Sequence, residues 1–86
     1  MALKIIGADD GVVDRIGVAI RDALPGAEVE VRAAGPGHFE VRVQSEAFRD
    51  QSRVRQHQLV YGAITPLMSG DAPPVHAIDR LVTEVP

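Results

Sequence analysis

Residues 28–43 read EVEVRAAGPGHFEVRV. In Glu28-Val29-Glu30-Val31-Arg32 the valines fall on one side of an extended chain and the charges on the other. Phe39-Glu40-Val41-Arg42-Val43 repeats the alternation. A period of two belongs to a β-strand with one buried face, because successive side chains of a strand point to opposite sides. Between the two runs, Ala33-Ala34-Gly35-Pro36-Gly37 has the small and φ-permissive residues of a short turn. The stretch predicts a β-hairpin with one apolar face, which needs a second layer to cover it.

The flanking segments predict that layer. Val12, Val13, Ile16, Ala19, Ile20 and Ala23 recur at steps of three and four. They place one apolar stripe on a helix from a cap at Asp9 or Asp10 to about Leu24, ended by Pro25-Gly26. After the hairpin, Ser45 caps a short helical turn through Phe48, and Ser52 caps a longer helix with Val60, Ile64, Leu67 and Met68 on its apolar face. Pro66 lacks an N–H, so this helix is expected to stop near Ile64, with Pro66 opening a separate last turn, or to kink. Gly70 to Pro74 reads as a loop and Val75 to about Val82 as a third strand. The order is α-β-β-α-α-β, an α+β chain whose economical packing is a three-stranded sheet with helices on one face.

Eighty-six residues suffice for one domain, residues 1–86, and 45% hydrophobic residues suffice for a core. Only Phe39, Phe48 and Tyr61 are aromatic, so Val, Ile, Leu and Ala must fill most of it. The absence of cysteine excludes disulfides, a cysteine nucleophile, and any zinc or iron–sulfur site held by the chain's own thiolates. The net charge of −3 argues against a general polyanion binder, and only residues 32–58 are mildly basic. No apolar run approaches the roughly 18 residues of a membrane span. Met1–Gly7 lacks the apolar core of a secretory signal, so a cytoplasmic location is expected.

Nucleophilic and phosphate-binding motifs are missing. Ser45, Ser52 and Ser69 occupy cap or loop positions, none in a GxSxG context, and there is no GxGxxG or Walker sequence, so no enzyme is expected. The three histidines show no HExxH pattern or local ligand spacing. His76 follows a Pro-Pro loop at the start of the last strand, where an exposed neutral imidazole can ligate a borderline metal. His38 begins the second strand beside a glycine-rich turn that permits close backbone approach and is a weaker metal candidate. His57, one helical turn before Tyr61, reads as a packed, structural histidine. Arg49, Arg53 and Arg55, with Ser52, could meet phosphates at a helix N-terminus, although a solubilising helix face is the preferred account, since three arginines on a net acidic chain are a small electrostatic footprint.

Taken together, four stretches resemble the BolA family, especially its IbaG/YrbA-like and mitochondrial BolA-like branches. They are Gly37-His38-Phe39-Glu40-Val41-Arg42-Val43, Ser45-Glu46-Ala47-Phe48, Ser52 to Tyr61, and Val75-His76-Ala77-Ile78, in family order, over about residues 12–82. The resemblance implies a class II KH-like fold. It also implies pairing with a monothiol glutaredoxin in iron–sulfur trafficking or iron homeostasis. A 2Fe-2S cluster would then be shared between the glutaredoxin cysteine, a glutathione thiol and histidine from this chain, with His76 in the position of the C-terminal motif histidine. Some branches are proposed to be DNA-binding transcriptional regulators, which makes DNA an alternative partner; a homodimer is also left open. The turn Ala33–Gly37 departs from the family pattern in having no Cys or His ligand, and the loop Ser69–Pro74 is longer than usual.

Overall fold

The computed structural model describes residues 8–86, with side chains described from Gly11 onward. The reading of Met1–Gly7 lies outside the described residues. The elements are α1 (Ala8–Ala23), β1 (Glu28–Gly35), β2 (His38–Gln44), a 3₁₀ turn (Glu46–Phe48), α2 (Arg53–Met68) and β3 (Ala77–Glu84). This is the α+β order read from the sequence, with the first of the two central helices reduced to a single 3₁₀ turn. Ser45 Oγ accepts the N–H of Ala47, and Ser52 Oγ that of Arg55, both at 3.1 Å, so both predicted caps form.

β2 is the central strand, antiparallel to β1 and parallel to β3. Phe39, Val41 and Val43 alternate inward from β2 and are buried. Ile16 and Ile20 of α1, Leu24 just past its end, and Val60, Ile64 and Leu67 of α2 cover them, with Phe48 and Val75 closing the cluster. Burying each such side chain contributes roughly 1.5–3 kcal/mol. The opposite face carries Glu30, Arg32, Glu40, Arg42 and Arg80 and lies open.

Four details differ from the sequence reading. First, the hairpin connection is Pro36-Gly37 alone, because Ala33 to Gly35 continue β1 with a bulge at Ala34. Second, α1 is already helical at Ala8, so Asp9 and Asp10 stand inside its first turn rather than at its cap.

Third, α2 runs through Pro66 to Met68. Pro66 sits in the last turn, where its missing N–H releases only the exposed Gly62 carbonyl. Neighbouring carbonyls gain side-chain donors there: Thr65 Oγ1 to Tyr61 O and Ser69 Oγ to Thr65 O, both at 2.8 Å.

Fourth, β3 begins at Ala77, not Val75, and extends to Glu84. The N–H of Val75 turns back to Leu67 O at 3.0 Å, and Glu84 O accepts Ser45 N–H at 3.0 Å. No helix of the described residues is long and apolar enough to cross a membrane.

Candidate functional site

The parallel pairing of β2 with β3 opens at His38 opposite Ala77, which sets both His38 and His76 at the same end of the sheet. Gly37 joins them. Its carbonyl accepts the N–H of His76 at 2.8 Å and that of Ala77 at 3.1 Å. Gly37 has φ of +75°, and a Cβ there would lie 2.8 Å from both Cγ and Cδ2 of His76. Glycine is thus required twice, for the left-handed backbone and for the imidazole that lies against it. His76 remains exposed, one residue ahead of β3 rather than on it.

His38 is oriented by a carboxylate. The β2–β3 register slips between Phe39 and Glu40, so that Phe39 faces Ile78, Glu40 faces Arg80, and Asp79 has no residue opposite. Without the slip Asp79 would confront Glu40; with it, Asp79 Oδ1 lies 2.8 Å from His38 Nδ1. A carboxylate only accepts, so Nδ1 carries the proton and the Nε2 lone pair of a neutral ring stays free. The glycine-rich turn that contains Gly37 is legible in the sequence; Asp79 is not. The Gly-His pair hinted at close approach, but a register slip between strands distant in sequence leaves no local signal.

Among the described residues no group of three or more His, Cys, Asp or Glu converges on a metal position. The donor set here is exposed imidazole, which suits a site completed by ligands from another molecule.

The remaining candidates have different surroundings. Arg49 Nε and Nη2 donate to the two carboxylate oxygens of Glu46, both at 2.9 Å. This fork holds the Glu46 carboxyl below the usual glutamate range, chiefly through the hydrogen bonds, and raises the Arg49 guanidinium for the same reason. Arg53 and the half-buried His57 line a shallow recess against Leu81, Val82 and Thr83. Arg55 is exposed on the first turn of α2. With Arg49 engaged, Arg53 and Arg55 are the arginines of this group most available to a phosphate.

Residues 19–84 match the family of BolA-like proteins. The chain is similar in structure to the BolA domain of SufE1 from Arabidopsis thaliana, with 30% identity, coverage of 87% of this chain and 92% of that one, and a TM-score of 0.71. It is also similar to a bolA protein homologue from Coxiella burnetii, with 26% identity, coverage of 100% and 94%, and a TM-score of 0.69. BolA1 from Mus musculus matches with 30% identity over 87% of this chain and 65% of the mouse chain, at a TM-score of 0.69. A search of curated protein sequences returns no match.

Proposed function

The chain belongs to the BolA-like family, and from that premise we propose that it is a non-enzymatic accessory protein which pairs with a monothiol glutaredoxin to hold or hand on a 2Fe-2S cluster. The observation that carries this reading is the exposed His76 imidazole, fixed against Gly37 at the end of the sheet that also presents His38. A 2Fe-2S cluster takes four protein or thiol ligands, and imidazole replaces thiolate in Rieske-type centres, where it raises the potential. With no cysteine in the chain, the thiolates come from the glutaredoxin and glutathione. His76 supplies the imidazole, and His38 is the second candidate. Iron–nitrogen bonding needs the neutral ring, so cluster uptake weakens as the solution becomes acid.

The test mixes the protein with cluster-loaded monothiol glutaredoxin and glutathione, followed by visible absorption and circular dichroism. The expected result is a new visible circular dichroism signature that His76→Ala abolishes, while calorimetry still detects binding to the glutaredoxin. An unchanged spectrum on mixing, or the same change with His76→Ala, overturns the ligand role.

A further inference from the structure

We propose that the free edge of β1, together with the groove between β1 and α1, is a two-fold interface between two copies of this chain. Among the described residues β1 is hydrogen-bonded to β2 on one side only, and its Glu28–Ala33 stretch, ahead of the bulge at Ala34, contains neither the lysine nor the proline that commonly blocks an edge strand. Beside this edge runs a groove whose apolar lining is Val13 and Val18 of α1 and Val29 and Val31 of β1. Val18 is 54% exposed in the single chain. A second copy covers both the unpaired edge and this apolar strip.

Charge selects the occupant and its register. When two β1 strands pair antiparallel with Val31 opposite its own counterpart, Glu30 of each copy faces Arg32 of the other. Val29 then faces Ala33 across the groove side. A slip of two residues in one direction sets Glu30 against Glu30, and in the other direction Arg32 against Arg32. Directly opposed like charges are unfavourable in a sheet, whereas opposed unlike charges support pairing. An odd slip would move the valines to the charged face. The edge is therefore complementary to itself in one register.

The helix repeats the pattern. Gly17 lines the groove together with Val31, and Asp14 and Arg21 line it on either side of Gly17 along α1. A two-fold at Gly17 and Val18 runs the two α1 helices antiparallel and sets Asp14 of each copy toward Arg21 of the other. The Arg21 guanidinium lies over Gly17, with Nη1 3.0 Å from the position a Cβ would take, and so is held at the centre of the helix face. Strand and helix thus each have a self-complementary centre, Val31 and Gly17-Val18, lining the same groove. Neither His38 nor His76 lines this groove, so self-association and cluster chemistry are separable.

Sedimentation equilibrium of the protein alone, at low salt and rising concentration, tests the interface. The expected result is a monomer–dimer equilibrium that shifts toward monomer as salt rises. Asp14→Arg and Arg21→Asp each weaken the dimer by about tenfold, since two symmetric pairs turn repulsive at once. The double variant Asp14→Arg/Arg21→Asp restores it, with far-ultraviolet circular dichroism unchanged throughout. A protein that stays monomeric at all concentrations, a dimer indifferent to the single changes, or a double variant as weak as the singles overturns the proposal. The first of those results would return the edge to binding other molecules; none of them bears on His76.

Discussion

At the scale of single residues, the site depends on two that donate nothing to a ligand. Gly37 gives up its side chain so that His76 can lie against the backbone, and it adopts a φ of +75°. Gly37→Ala combines a left-handed alanine with a Cβ placed 2.8 Å from the imidazole ring. The expected outcome is a loss of about 1–3 kcal/mol in urea unfolding, with displaced His76 ring resonances in proton–carbon spectra. Asp79 acts on His38 through Nδ1. Asp79→Ala removes the acceptor that selects the Nδ1-protonated tautomer, so long-range proton–nitrogen spectra of the neutral ring should show His38 shifting to the Nε2-protonated form. An unchanged tautomer would mean that the hydrogen bond to Asp79 does not orient the ring. His76 was legible as a candidate because it follows a Pro-Pro loop. Its support was not, because Gly37 and His76 meet only through strand pairing.

At the scale of elements, the caps and connections carry most of the polar structure. Gln56, on the first turns of α2, donates Nε2 to Phe48 O and Gln51 O at 3.3 and 3.0 Å and accepts the Thr83 hydroxyl at 2.6 Å. It ties the 3₁₀ turn, α2 and β3 together. Gln56→Ala leaves the Phe48 carbonyl and Thr83 hydroxyl without this partner in partly buried surroundings. It is expected to cost on the order of 1–3 kcal/mol by denaturant unfolding.

The 3₁₀ turn has its own clasp. Glu46 is lowered from the usual glutamate range by Arg49, so folding favours its ionised form. The stabilisation is present above the ordinary glutamate range and is lost as the pH falls through the lower, folded-state value. Arg49→Gln should return the Glu46 midpoint upward to the usual range, as read by carbon resonances of its carboxyl during an acid titration. A midpoint that does not move would show that the fork is not formed in solution.

For the whole molecule, the core is small and unevenly shared. Phe39 and Phe48 are its two largest fully buried side chains, one on the central strand and one on the 3₁₀ turn between the hairpin and α2. Phe48→Ala is expected to cost about 3–5 kcal/mol, a large part of the roughly 5–15 kcal/mol that holds a domain folded. Thermal unfolding should show a markedly lowered midpoint, and a shift of only a degree or two would place the ring outside the cooperative core. The far face of the sheet is held differently. Arg42 pairs with Glu84 of β3 and, at 3.4 Å, with Glu30 of β1, spanning all three strands. Arg42 and Glu30 are exposed and Glu84 is half-buried, so the Arg42–Glu30 pair adds little to stability.

Periodicity within the chain determined the hairpin, the apolar faces of α1 and α2, the two serine caps and the six-element order. Each is a local matter, settled by side chains a few residues apart competing for water or for a backbone N–H. The cysteine-free composition likewise determined that any cluster held with this chain must take its thiolates from elsewhere. Tertiary structure alone decided that β3 runs parallel to β2, that its register slips at Asp79, and that His38 and His76 share one end of the sheet. It also decided that, among the described residues, β1 is an edge strand. These follow from which strands neighbour one another, and strand pairing joins residues about 40 positions apart, such as His38 and Asp79. Their meeting is set by how the helices cover the sheet, not by the spacing of either residue from its neighbours in sequence.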